Sequence, residues 1–408
     1  MKALVLAGGF PQIALIEELK SRGIYTILAD WNEEPVAKKH ADKFYQASTL
    51  DTDAITEIAR KEKVDLLLTA CTDQALLTVA YVSEKLGLPC YIDYQTALNV
   101  TNKAYMKKVF DENGISTAKH IVLGELDESK LDGWEFPLIV KPVDCNSSKG
   151  VKKVTDMDEL RVAFADAVRF SRTNTAIIES FIEGPEVSVD IYVEGGKAHV
   201  LCISNNDKIA DKDKFVIFRG RCPARELDAV RGPVEKTAQQ ITDAFGLKDT
   251  PMLIQLITDG KRVFVLEFSA RTGGGTKFLR IKKMTGFDVI KAVVDLTLGL
   301  KPHVEHDPAC CNYLADEFIY CKPGSFDHLE GFEELKAEGV MDDYYVFKWK
   351  GAAFTGVESS GDRAAGFTIT ADTLEEFRRK HDIVASRIKV IGADGTDIMR
   401  HDLLTALT

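Results

Sequence analysis

The chain has 408 residues, 45% of them hydrophobic, and a formal net charge of −11. That is enough material for two or three compact domains with cores of their own, and the ordinary composition excludes a disordered or fibrous class. The negative balance argues against nucleic acid as a partner, and no apolar run reaches the roughly 18 residues of a membrane helix.

The start, MKALVLAGGF, has one lysine and a short apolar run ending at Gly8 and Gly9. It predicts a first buried strand rather than a signal peptide, and a cytoplasmic protein. Strand and helix patterns then alternate: KALVLAGG, a helix over PQIALIEELKSRG, IYTILAD, a helix over DAITEIARKEK, VDLLLTA, and a helix over DQALLTVAYVSEKLG. The alternation implies a doubly wound parallel sheet with helices on both faces over residues 1–98. Such sheets bind ligands beyond the carboxyl ends of their strands, where Ala7–Gly9, Asp30 and Thr69–Asp73 fall. AGG lacks the G-x-G-x-x-G spacing, which argues against dinucleotide binding.

A second unit begins at TNKAYMKKVFDENGI, an amphipathic helix capped by Thr101 or Asn102 and stopped by Gly114. The pattern then becomes α+β. AKHIVL, FPLIVKP, GVKKV, TAIIESFI and EVSVDIYV read as strands, with a helix over DMDELRVAFADAVRF. Residues 205–226 read as a long polar loop, and loops of that length often carry function. A helix over 232–247 precedes MLIQLITDGKRVFVLEF, whose Asp259–Gly260 turn marks a hairpin that sets Gln255 and Glu267 on adjacent strands. FDVIKAVVDLTLGL is a further helix. The last hundred residues, with strands ADEFIYC, YYVFKW and AGFTIT and the helix TLEEFRRKHDIVASRI, carry no legible chemistry. The eight cysteines are scattered without a C-x-x-C pair, so reduced thiols are expected, and His303 and His306 read as a solvated loop.

In VLEFSARTGGG, residues 265–275, an apolar strand delivers Glu267, and a buried charge requires a partner. Lys141 ends the apolar run LIVKP, where desolvating a lysine is costly unless it meets an anion, which points to phosphate. Lys103, in the helix start NKAY, is by itself an ordinary surface lysine. The loop Asp144–Gly150 offers backbone N–H groups and the hydroxyls of Ser147 and Ser148 to phosphate oxygens.

Taken in order, NKAYMKKVF, PLIVKP, SSKGV, IIESFIEGPEVSVD, QLITDG and EFSAR resemble an ATP-grasp enzyme, over nearly the whole chain. The resemblance implies a two-lobed grasp over residues 99–305, with a lid lobe at about 117–182, completed by a small C-terminal α+β region over 306–408. It implies ATP as cofactor, contacted by Lys103, Lys141, Ser147, Ser148 and Gly150. The adenine hinge falls on Glu179, Ser180, Phe181 and Ile182, and the ribose hydroxyls on Glu186. Magnesium, or manganese in its place, is implied at Gln255, Glu267 and Ser269. Arg271 resembles the arginine that holds the transferred phosphoryl group, which with Lys141 makes the implied catalytic pair. Gly273 and Gly274 would admit the acceptor closely. Two departures are visible: many members have asparagine where Ser269 stands, and Asn146, Ser147 and Ser148 replace glycines of the phosphate loop.

The reaction this family runs is attack of a carboxylate on the γ-phosphate of ATP, followed by displacement of phosphate from the acyl phosphate by an amine. Within the family the chain resembles amino-acid ligases and carbamoyl-phosphate-synthase-like proteins. Small-molecule carboxylate and amine substrates are therefore expected, with Arg219, Arg221 and Arg225 of the polar loop on a substrate carboxylate or simply solvated. Family members often dimerise, which makes a homodimer the implied assembly. A bicarbonate-activating carboxylase or carbamoyl-phosphate-type enzyme, and a nucleotide-binding protein without catalysis, are the alternatives.

Overall fold

The computed structural model describes residues 1–145, 150–209, 215–305 and 311–405. Ser147 and Ser148 of the expected phosphate loop lie outside them, as do Asn146, His306 and Cys310. Strands β1 (Lys2–Leu6), β2 (Tyr25–Asp30), β3 (Lys43–Gln46) and β4 (Leu66–Leu68) form a parallel sheet in the order β3-β2-β1-β4. Helices α1 (Phe10–Ser21), α2 (Thr52–Glu62) and α3 (Asp73–Leu86) connect them. Leu4, Leu6 and Ile27 pack on one face of the sheet with Ile55 and Val79, while Ala3, Val5 and Leu28 pack on the other with Leu15 and Ile16. This two-sided burial is why the strands read as continuous apolar runs. The pattern missed only β3, which is half-exposed and short.

A short helix α4 (Tyr94–Asn99) leads to α5 (Lys103–Glu112), whose cap is Asn102, accepting from Tyr105 N–H at 3.1 Å. Next comes an antiparallel sheet of β5 (His120–Leu123), β6 (Leu138–Pro142), β7 (Lys152–Val154) and β8 (Ala176–Ser180), in the order β5-β8-β6-β7, backed by α6 (Met157–Phe170). The large sheet starts with β9 (Glu186–Glu194), β10 (Lys197–Lys208) and β11 (Ile217–Cys222), is covered by α7 (Leu227–Ala244), and continues with β12 (Thr250–Thr258) and β13 (Val263–Ser269). After α8 (Lys277–Thr285) and α9 (Val289–Thr297) comes β14 (Tyr313–Ile319). The last part holds β15 (Gly324–Glu330), α10 (Phe332–Ala337), β16 (Asp343–Val346), β17 (Ala353–Phe354), β18 (Ala365–Ala371), α11 (Leu374–Arg387) and β19 (Lys389–Gly392). The eight-stranded order is β13-β12-β9-β10-β11-β14-β18-β16, antiparallel throughout, so strands from the last hundred residues extend the same sheet. No described helix is long and apolar enough to cross a membrane.

The polar loop expected over residues 205–226 is corrected. Its described ends are β10 and β11, paired with Asn205 opposite Arg221 and Asp207 opposite Arg219. These strands tolerate polar residues because each finds a partner: Asn205 donates to Glu226 at 2.8 Å, Asn206 to Glu186 at 2.9 Å, and Arg219 to Glu317 at 2.9 Å. Helix α8, which follows the glycine run, was also not anticipated.

The parallel sheet and the large sheet are tied by aromatic packing and charge. The Phe10 ring centroid lies 4.8 Å from that of Tyr345, 5.5 Å from Phe347 and 5.9 Å from Phe278. Arg22, the C-cap of α1, pairs with Asp295 on α9 at 2.6 Å. The segment leading into the small sheet is held to the large one by a backbone bond, Val265 N–H to Ser116 O at 2.8 Å. Gly184, between β8 and β9, has φ of +152°, and a Cβ there would sit 2.1 Å from the Thr258 carbonyl oxygen. Both the left-handed backbone and the backbone clash oppose a side chain. Gly184→Ala is expected to destabilise the fold by ~3 kcal/mol, read as a lower urea midpoint with an unchanged slope.

Candidate functional site: a nucleotide-sized cleft joined to a basic pocket

The two antiparallel sheets face each other across a cleft with about 920 Å³ of empty space, part of it open to solvent. Its lid-side wall comes from Ile139, Lys141 and the segment Glu179–Ile182, its floor from Gln255, Ile257 and Glu267. Position follows from register. On β12 and β13 Gln255 lies opposite Glu267, the pairing the Asp259–Gly260 turn implied.

Glu267 meets Lys103, whose Nζ lies 3.1 Å from the carboxylate and also donates to the Cys145 carbonyl at 2.8 Å. Burial works against both charges. The lysine nevertheless holds Glu267 below the usual carboxylate range, and Glu267 raises Lys103. Lys103 sits at the first turn of α5, where its backbone N–H bonds Val143 O beside the lid. The half-buried charge in the strand thus has the partner that desolvation demands.

On the lid side Lys141 pairs with Glu179 at 2.7 Å, and Lys107, one turn beyond Lys103, approaches the same carboxylate at 2.6 Å. Burial opposes ionisation of Glu179, but the two lysines hold it down to about 2. Lys107 also donates to the Thr117 hydroxyl, which donates to Val265 O at 2.7 Å, two residues before Glu267. Lid and floor are therefore wired together through Lys107, a residue the sequence left unmarked. Along the hinge the N–H groups of Ser180 and Phe181 are engaged by Lys119 O and Pro137 O. That of Ile182 has no backbone partner among the described residues, which leaves a polar edge for a base.

Glu186 is buried at the cleft floor, accepting from Asn206 at 2.9 Å and from Gln255 Nε2 at 3.0 Å, and paired with Lys208. With its NH2 group given to Glu186, Gln255 keeps its amide oxygen for another partner. The hydroxyl of Ser269, two residues beyond Glu267 on β13, bonds Asp73, the first residue of α3, and Ser269 is not among the residues lining either cleft. Gly150 has φ of +75°, and a Cβ there would lie 2.9 Å from Pro142 Cγ.

A second cleft of about 1040 Å³ continues from the first across Gln255, Glu267, Phe215 and Ile217. Arg271 lines it, its Nε 2.7 Å from Asp73 and its Nη1 donating to Thr272 O at 2.8 Å. Asp73 thus reaches from the parallel sheet into the site. Its segment, Thr69–Asp73, had been placed at the strand ends by pattern, but its role was not legible. Arg280, fully buried, pairs with Asp190 at 3.2 Å and Asp316 at 3.5 Å, and Lys277 and Arg363 complete the basic lining. Gly274 faces this space, and a Cβ there would meet nothing within 4 Å. Arg219, Arg221 and Arg225 do not line either cleft; Arg219 is bound to Glu317, and all three approach Asp207.

Among the described residues no group of three or more His, Cys, Asp or Glu side chains converges as a metal cage. The carboxylate of Glu267 with the amide oxygen of Gln255 is nonetheless a hard-oxygen pair that leaves most of an octahedral shell to water and phosphate, which fits magnesium arriving with a nucleotide.

Comparison with known proteins agrees with this geometry. Residues 134–278 match the family described as the ATP-grasp domain. A phosphoribosylamine–glycine ligase of Streptomyces coelicolor is 26% identical over 418 residues, covering 97% of each chain. Among solved structures, an L-amino acid ligase from Bacillus licheniformis superposes with a TM-score of 0.80 at 21% identity, over 96% of this chain and 99% of that one. The biotin carboxylase domain of a Hydrogenobacter thermophilus 2-oxoglutarate carboxylase, solved with MgADP and bicarbonate, gives 0.78 at 16% identity, over 99% and 92%. The chain therefore resembles ATP-grasp enzymes along its length and shares with these solved structures the mixed α/β and α+β fold expected of it.

Proposed function

We propose that the protein is an ATP-dependent carboxylate–amine ligase that binds ATP with magnesium in the first cleft and its small-molecule substrates in the second. The observation that carries this reading is the shared wall: Gln255 and Glu267 line both clefts, so phosphates held by Lys103 and Lys141 lie beside the pocket that holds Arg271. The full-length similarity to a phosphoribosylamine–glycine ligase supports an amide-forming reaction.

In the first step a carboxylate oxygen attacks the γ-phosphorus, the bond to the β-phosphate oxygen breaks, and ADP leaves with Lys103 and Lys141 near its phosphates. In the second, an amine nitrogen attacks the acyl carbon, the C–O bond to phosphate breaks, and inorganic phosphate leaves as the nitrogen gives up its proton to water. Glu267 and the amide oxygen of Gln255 are the residues that would hold magnesium, which when bound would supply neutralising charge to the phosphates. Arg271, fixed in orientation by Asp73, offers its guanidinium toward the developing charge. Positioning and charge carry such transfers, which is consistent with the lack of a single obvious base.

A coupled assay with MgATP and pools of amino acids and other carboxylates, with and without bicarbonate, tests the reading. ADP and phosphate released only with a particular acid and amine support it. ATP hydrolysis that follows bicarbonate alone supports the carboxylase reading instead, and ATP binding with no turnover in any pool supports a nucleotide-binding protein. Arg271→Lys is expected to lower kcat by ~10²-fold with little change in ATP affinity, since lysine cannot reproduce the two-pronged grip on Asp73.

A further inference from the structure

The second cleft is lined by four cations, and two of them have no carboxylate within ion-pair distance among the described residues. Arg271 is held by Asp73, and Arg280 by Asp190 and Asp316. Lys277 and Arg363 form no ion pair with any described carboxylate. Lys277 Nζ donates to the Ser188 hydroxyl. Arg363 lies over the Phe318 ring, 3.5 Å from its centroid, with Nε donating to the Tyr320 hydroxyl at 3.1 Å and Nη2 to Ile217 O at 3.4 Å. Those contacts fix the guanidinium plane and leave Nη1 toward Gly275.

The glycine run is what admits both groups. A Cβ on Gly273 would lie 2.2 Å from Lys277 Cδ, and one on Gly275, where φ is +70°, would lie 3.2 Å from Arg363 Nη1 and 3.0 Å from Phe318 Cζ. The absence of side chains at Gly273 and Gly275 therefore opens the path by which a lysine from α8 and an arginine from the segment before β18 reach one space. A partly buried cation without a counterion is costly unless a ligand supplies one.

We propose that Lys277 and Arg363 form a clamp for an oxyanion, the carboxylate or phosphate group of the small molecule that enters the second cleft. The clamp rests on the ligase reading only for what happens to that molecule afterwards. Burial lowers Lys277 to about 8 against the pull of Asp190, so the ammonium form still prevails at pH 7, and a bound anion stabilises it further. The rigid fork of Arg363 supplies direction, and the lysine supplies a point charge.

Isothermal titration of the full chain with inorganic phosphate, acetate and glycine tests this, with MgATP titrated into the same samples. The expected result is one-site binding of phosphate or of the two carboxylates, weakened at least about tenfold in Lys277→Met and in Arg363→Met. Lys277→Arg, which keeps the charge, is expected to restore part of the affinity, and MgATP affinity should stay as in the wild type, which also shows that each variant is folded. Phosphate bound in preference to acetate and glycine identifies a phosphate-bearing substrate, and the reverse a carboxylate. No binding of any of the three anions, or equal binding in both methionine variants, overturns the clamp. A chain that binds the anions but not MgATP leaves the clamp standing and overturns the ligase reading.

Discussion

Glu267→Gln is expected to lower magnesium-dependent ATP turnover by ~10²–10³-fold or more while the chain stays folded. The substitution keeps the shape of the side chain and removes the carboxylate that lines both clefts and pairs with Lys103 at 3.1 Å. Two consequences follow from one change. The phosphates lose the anionic group that fits a shared magnesium, and Lys103 is left with the Cys145 carbonyl as its only close oxygen partner among those described here. Lys103 and Lys141 still attract the phosphates, so metal-free ATP binding should survive better than MgATP turnover. The comparison of the two affinities separates a metal-binding role from a general loss of charge in the cleft. A folded variant with wild-type turnover would remove Glu267 from the chemistry.

Glu179→Gln is expected to be the most destabilising single substitution in the cleft, by ~3–5 kcal/mol, because it breaks a buried ion pair and leaves Lys107 and Lys141 without a counterion. Lys107 is 1% exposed and Glu179 2%, so neither charge has recourse to water. The effect has a defined dependence on pH. Glu179 is held down to about 2 in the folded chain, against about 4.3 for a free glutamate. Its contribution is therefore fully present above the unfolded value and is lost as pH falls from there through about 2. Urea unfolding should show a gap between wild type and variant that is constant from about pH 6 to 7 and narrows only below about 4.5. A gap absent at pH 7 would mean the triad contributes nothing to the fold. ATP affinity should fall with stability, since Glu179 opens the hinge segment along which the base is expected.

Much of this was legible in the chain because the signals were local. Apolar runs buried on both faces gave the parallel sheet, and the D-G turn fixed the register that sets Gln255 beside Glu267. The rule that a buried charge requires a partner pointed correctly at Glu267, though not at which lysine would answer it. What stayed hidden depends on distance along the chain or on polar residues inside sheets. Asp73 and Arg271 meet across 198 residues, and nothing near either one announces the other. Strands β10 and β11 carry Asn205, Asn206 and Arg219 at buried positions, which looks like a loop until Glu226, Glu186 and Glu317 are seen to satisfy them. Lys277 and Arg363 escaped for the same reason: one follows the glycines on a helix that pattern did not predict, the other stands in the C-terminal region from which no chemistry was read.

The most direct test of the ligase account follows oxygen rather than rate. With the substrate pool that supports turnover, the carboxylate is labelled with ¹⁸O and the released phosphate is examined by ³¹P NMR. An acyl-phosphate route carries one carboxylate oxygen into each phosphate and yields ADP, and the account predicts that result together with its loss in Glu267→Gln. Unlabelled phosphate, or AMP and pyrophosphate in place of ADP and phosphate, would contradict it.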